Sequence, residues 1–204
     1  MAVPILGLLA YNLAATGTLF NPVYEGLYRY EIGAYPDLGY QAAWSLQDIR
    51  YIPQNLGVML TGLPTVMPPC DPGVARTPWS TAGCSWLVPE QRGMSFVLAS
   101  PAWLLAIPAL GLLRDRRVAG ALVATAAIAV VNLMHFSQGW VQFGYRFSLD
   151  FAPFLLVAVA LGAERFLGPR EERRTGRLAV VVGLVAASVA IQAWGIAWAR
   201  TLGW

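Results

Sequence analysis

Long apolar runs joined by short, arginine-rich connectors constrain this chain more than any other feature. A helix needs about 20 apolar residues, at roughly 1.5 Å each, to cross a hydrocarbon layer of about 30 Å. Five stretches approach that length: residues 2–19, 94–113, 118–135, 147–167 and 178–198. The first carries Pro4, Tyr11, Asn12 and Thr16, and Pro101 and Pro108 interrupt the second, where they are expected only to bend the helix. The fifth is the cleanest and ends in a stretch holding Trp194 and Trp198, side chains suited to a headgroup interface. The expected fold is all-α: a polytopic transmembrane helix bundle of about five spans, forming a single membrane domain over residues 1–204.

Composition supports this. The residues are 57% hydrophobic and 12% charged, with a mean hydropathy of +0.54. Soluble domains carry about 25% charged residues, so lipid is the expected solvent for much of the chain. All 14 basic residues are Arg. With abundant Ala, Gly and Val, that usage points to a GC-rich bacterial genome. A basic chain could bind nucleic acid, but here the Arg residues cluster beside apolar spans rather than on a polar, aromatic-interleaved face, and that class is set aside. The first residues have no basic n-region and no Ala-x-Ala site, which argues against a signal peptide. Their abrupt start leads us to expect a longer protein, or a partner subunit, that supplies an N-terminal half.

Orientation follows from the Arg residues. Connectors 114–117 and 164–177 hold three and five of them, whereas residues 20–93 hold four in 74. The positive-inside rule places both short connectors in the cytoplasm, and segments 20–93 and 136–145 outside, at the bacterial cytoplasmic membrane. The Arg-rich residues 169–177 read as a topology signal and an anionic-lipid contact.

The outer loop 20–93 opens with an acidic, Tyr-rich stretch in which Glu25 and Glu31 flank Tyr28 and Tyr30. It is either a solvated loop or a sugar-contacting edge. Leu46, Ile49, Ile52, Leu56, Met59, Leu60 and Leu63 recur at three- and four-residue steps, the pattern of an amphipathic helix that Pro53 bends or starts. That helix either lies on the outer leaflet or packs on the bundle. Cys70 and Cys84 share this loop, where an oxidising exterior lets them pair as a disulfide. The closed loop of about 15 residues would contribute roughly 3 kcal/mol.

The candidate site lies in residues 135–156, where a short polar loop runs into an apolar span. Arg146 and Asp150 stand four residues apart, one helical turn. They form either a local ion pair, worth about 0.3–0.5 kcal/mol when exposed, or a phosphate site in which Arg146 grips the anion and Asp150 orients it. His135, the single histidine, faces the same outer loop as Gln142 and Tyr145, as a structural hydrogen-bonder or a catalyst. No phosphate-cradling glycine loop, Ser/His/Asp series or metal-ligand spacing is present, so no resident cofactor or metal is expected. Whether a divalent metal accompanies a substrate is left open.

Several of these residues also carry a family resemblance. Tyr11-Asn12, Thr16-Gly17, Asn21-Pro22 and the Tyr-rich stretch that follows resemble the corresponding segment of bacterial multi-spanning glycosyltransferases of the GT-C type, the protein-mannosyltransferase-like and lipopolysaccharide-modifying enzymes. Residues 48–63 look like their outer helix, and residues 143–153, Phe-Gly-Tyr-Arg-Phe-Ser-Leu-Asp-Phe-Ala-Pro, are similar to their "RY.L…P" start of a late span. The resemblance covers most of residues 8–160 and matches the later half of the family pattern. It implies a membrane transferase that takes a sugar from a polyprenyl-phosphate carrier at the extracytoplasmic face. The family's catalytic base, an acid in the first outer loop, has no counterpart in the matched residues. Arg146, Tyr145 and Asp150 would hold the carrier phosphate. The alternative is a non-enzymatic membrane module: a lipid-handling or transporter-like subunit, or a degenerate remnant.

Overall fold

The computed structural model describes residues 2–19, 44, 46–67, 85–90, 92–137, 139, 142–169 and 175–202. The chain is mostly helical. Helix α1 covers Ala2–Thr16; a 3₁₀ turn at Ile49–Tyr51 leads into α2, Ile52–Thr61; α3 is the short Phe96–Ala99. A 3₁₀ segment, Pro101–Leu112, precedes the three long helices: α4 (Arg116–Leu133), α5 (Ser148–Leu167) and α6 (Thr175–Leu202). Two short strands, β1 (Thr65–Val66) and β2 (Leu87–Val88), pair antiparallel with Thr65 opposite Val88. They were not foreseen, since two residues show no readable alternation.

Helices therefore occupy all five expected positions, but only two are long and apolar enough to cross a membrane: α4 and residues 175–199 of α6. Helix α1 has 15 residues, and α5 carries Asp150 near one end and Glu164 and Arg165 near the other. Five crossings are more than these lengths and compositions establish. The surfaces of α4 and α6 are unlike those of helices in a soluble core, because only 17% and 11% of their apolar stretches are buried.

The second expected span breaks into two pieces, for a reason visible in the sequence. Ser95 caps α3 by accepting from the Leu98 amide at 3.3 Å. Pro101 has no amide hydrogen, so it cannot continue the α3 ladder. The chain restarts at Ser100 as a 3₁₀ segment of 12 residues with Pro108 inside it, where 3₁₀ runs rarely exceed four. At about 2.0 Å per residue this segment reaches about 24 Å, so the tighter spiral offsets its small number of residues. The break strands the Ala99 carbonyl and the Ala102 amide. Two side chains four residues apart on α6 satisfy them: Gln192 Nε2 donates to Ala99 O at 2.9 Å, and Ser188 Oγ accepts from Ala102 N at 2.9 Å.

Helix α5 lies against the 3₁₀ segment at very close range. A side chain at Gly162 would collide with the Leu105 carbonyl, and Ala109 and Ala158, both fully buried, keep the neighbouring positions small. Met59, Val118, Leu133, Phe151 and Leu155 extend this core across α2, α4 and α5.

The amphipathic helix is shorter than its pattern. It begins at Ile52 with Pro53 in its first turn, so the proline starts the helix rather than bending it. Tyr51, Asn55 and Met59, at four-residue steps, are buried against the bundle, while Leu56, Leu60 and Leu63 stay exposed. The packing reading thus describes one face and not the other. Its anchor is Asn55, fully buried, whose Nδ2 donates to Leu133 O at 2.8 Å and His135 O at 2.6 Å and so finishes the carbonyl end of α4. Backbone bonds from Asp48 N to Met134 O (2.9 Å) and from Phe136 N to Leu46 O (2.9 Å) complete the seam.

Two substitutions test this packing. Gly162→Val should lower the thermal midpoint of the detergent-purified protein strongly, since overpacking costs about 1–3 kcal/mol and here the obstacle is backbone. Asn55→Leu should cost about 1–3 kcal/mol of stability, because the last carbonyl of α4 and the His135 carbonyl just beyond it lose their donor. Unfolding followed by circular dichroism reads both.

Candidate functional site

The site is built on the loop between α4 and α5. Gln142, 5% exposed, organises it: Nε2 donates to Arg92 O at 2.7 Å, and Oε1 accepts the Arg146 amide at 3.1 Å. Two glycines make room for that amide. Gly93 (φ 102°) and Gly139 (φ 99°) sit in left-handed backbone, and a Cβ on either would fall within 2.7 Å of Gln142 side-chain atoms. A third tie, from Met94 N to Phe143 O at 3.1 Å, joins the loop to the residues before α3.

This scaffold presents Arg146 at a cleft of about 470 Å³ whose walls include Phe96, Trp103, Phe143 and Leu149, with Gln142, Tyr145, Ser148 and Gln192 as polar members. The Arg146 side chain is exposed, with Cζ 5.8 Å from the Phe147 ring centroid. Among the described residues its guanidinium has no carboxylate partner and makes no hydrogen bond. Tyr145 lines the same cleft. It is 1% exposed, and its hydroxyl has no hydrogen-bond partner among the described residues. Burial, and secondarily the negative charge of Asp150, push its ionisation well above the ordinary range, so it remains a neutral donor.

Arg146 and Asp150 do not form the expected pair. The four-residue spacing presumed a helix through both, but α5 starts at Ser148 and Arg146 lies in the turn before it. Asp150 instead accepts from Asn132 Nδ2 at 2.9 Å, and the same amide donates to Phe147 O at 2.9 Å. Asn132 thereby joins the end of α4 to the start of α5 and draws Asp150 away from the role of orienting Arg146. Gln142 is likewise a positioning residue, since both ends of its amide are engaged with backbone.

His135 stands beyond the end of α4 and does not line the cleft. Its Nδ1 lies 3.0 Å from Ser137 O, its ring packs on Phe136 and Phe147, and its backbone bridges Gln47. Those contacts fit the structural hydrogen-bonder. Glu25, Tyr30, Cys70 and Cys84 lie outside the described residues.

Asn132, Ser188 and Gln192 are the residues that sequence reasoning missed. Each is a polar side chain within an apolar stretch, Asn132 in α4 and the other two in α6, a placement that marks a partner across the bundle. Trp198 is buried, and Trp194 packs edge-on against Phe143 at 5.5 Å. Gly195 admits that phenylalanine ring, which a side chain there would displace.

A pH test follows from His135. Burial holds its ionisation below the ordinary 6.5, against a smaller opposing pull from its bond with Ser137. Unfolding then takes up a proton, so stability is full above about pH 6.5 and falls as the pH drops below it. Thermal midpoints measured across that range should decline on acidification in the wild type and flatten in His135→Asn.

In comparisons with known proteins, no family model, no curated protein and no solved structure matches this chain.

Proposed function

We propose that the protein is a multi-pass protein of the bacterial cytoplasmic membrane whose extracytoplasmic cleft holds the phosphate of a polyprenyl-linked sugar, as the C-terminal part of a GT-C type glycosyltransferase. One observation carries this reading: Arg146, whose guanidinium has no carboxylate or hydrogen-bond partner among the described residues, stands at a cleft with apolar walls. A guanidinium binds phosphate oxygens through two parallel donors, and an aromatic-lined cleft suits the chain that follows the phosphate. The polar loop residues and the helical walls Phe96 and Trp103 meet in the same cleft, so an amphiphile could place its head and the start of its tail there together.

The membrane reading draws on the two long apolar helices and their largely exposed surfaces. The two Arg-rich connectors meet at the opposite end of the bundle from Arg146, since Asp115, Arg117, Glu164 and Arg165 border one common cleft. That is the arrangement the positive-inside rule requires if those connectors are cytoplasmic.

A second reading is a lipid-handling module without catalysis. It is favoured by the lining of the Arg146 cleft, which includes no Asp or Glu among the described residues. Such a cleft binds an anion but supplies no general base of its own.

The test is binding of a polyprenyl phosphate to the purified full-length protein in detergent. Arg146→Gln should weaken it about 10- to 100-fold, the loss expected for a charge-assisted hydrogen-bonding group. Arg146→Lys should recover only part, because an ammonium cannot make the two-pronged contact. Unchanged affinity in Arg146→Gln would remove the phosphate assignment. Sugar transfer from a lipid-linked donor, assayed with the N-terminal half supplied by the longer protein or the partner subunit, then separates the two readings: the transferase reading requires it, and the binding module does not.

A further inference from the structure

The far end of the bundle holds a second cleft, about 460 Å³, between the end of the 3₁₀ segment, the first turn of α4 and the last turn of α5. Its apolar members are Leu112 and Leu161, and its polar edge carries Asp115, Arg117, Glu164 and Arg165.

These charges are unequally engaged. Asp115 caps α4 and is committed to Arg117: it accepts from the Arg117 amide at 2.9 Å and from Nη2 at 2.7 Å. Glu164 interacts electrostatically with Arg117 as well. Arg165 has no hydrogen bond and no carboxylate partner among the described residues. Its guanidinium occupies the space left open by Gly111, where three of its atoms would lie 2.6–2.8 Å from any Cβ. A second cation approaches from α6: Arg177 Nη1 comes within 3.4 Å of where a Cβ of Gly168 would stand, and Gly168 borders the cleft.

We propose that this cleft binds the phosphate headgroup of an anionic membrane lipid, with Arg165 as its main cation and Leu112 and Leu161 meeting the start of the acyl chains. Free phosphate shares the charge chemistry but has no use for an apolar floor. The site is separate from the Arg146 cleft and rests only on the membrane reading. Glycine at position 111 gives the guanidinium its seat, so the site depends on where the charge is held as well as on how much charge is present.

The experiment uses the full chain in nanodiscs of phosphatidylcholine with or without phosphatidylglycerol, and reads retained lipid by native mass spectrometry. Stable incorporation into phosphatidylcholine discs tests the membrane reading on its own. Phosphatidylglycerol should be retained over phosphatidylcholine, and Arg165→Gln should reduce that preference about tenfold, the loss of a charge-assisted hydrogen bond to the headgroup phosphate. Gly111→Ala keeps every charge but displaces the guanidinium, and should reduce it comparably. Arg116→Gln removes one charge from the same end and should leave it intact. An equal loss in Arg116→Gln, full retention in Gly111→Ala, or displacement of the lipid by inorganic phosphate alone would each overturn the proposal.

Discussion

Once Pro101 interrupts its helix, the Ala99 carbonyl and the Ala102 amide have no local partner, and the rest of the bundle depends on where they find one. An unmet backbone group in apolar surroundings costs several kcal/mol, so a broken helix is tolerable only beside a neighbour that can complete it. Ser188 and Gln192 do so from successive turns of α6. Because both partners are side chains at fixed positions, they set the height of α6 against the 3₁₀ segment, which apolar contact alone would leave free to slide. On the other side of that segment, Gly162 allows α5 to approach until helix meets helix at backbone range. The 3₁₀ segment is thus held by polar bonds on one flank and by close steric fit on the other.

That division explains what could be read in advance. The three long helices were legible because apolar runs of their length have few alternatives, whereas the proline pair at 101 and 108 was expected only to bend its helix and instead the chain breaks near Ser100. The interactions that place those helices against one another were not legible. Ser188 and Gln192 look like incidental polar residues until the stranded groups at 99 and 102 are located in space. Gly162 looks like any other glycine until Leu105 is placed opposite it.

The candidate site divides in the same way. Arg146, Tyr145 and Gln142 were identifiable as polar or aromatic residues at the mouth of an apolar span, and all three border one cleft. The partnership of Arg146 with Asp150 was misread by two residues of helix, enough to turn a same-face pair into two groups with different neighbours. Asn132, eighteen positions before Asp150, claims that carboxylate. Local spacing predicts side-chain pairing only where the backbone is regular through both residues, and loops that introduce helices break that condition.

The enclosure of Gln142 between Gly93 and Gly139 bears on how a ligand would be received. The loop carrying Arg146 is closed by its own amide bonds before anything occupies the cleft. If the cleft takes an anion as proposed, the ligand would meet an Arg146 amide already held by Gln142, and little of the binding energy would be diverted into ordering it. The two glycines do not line the cleft, yet a methyl group on either would push against Gln142, so the shape of the cleft depends on residues behind its surface.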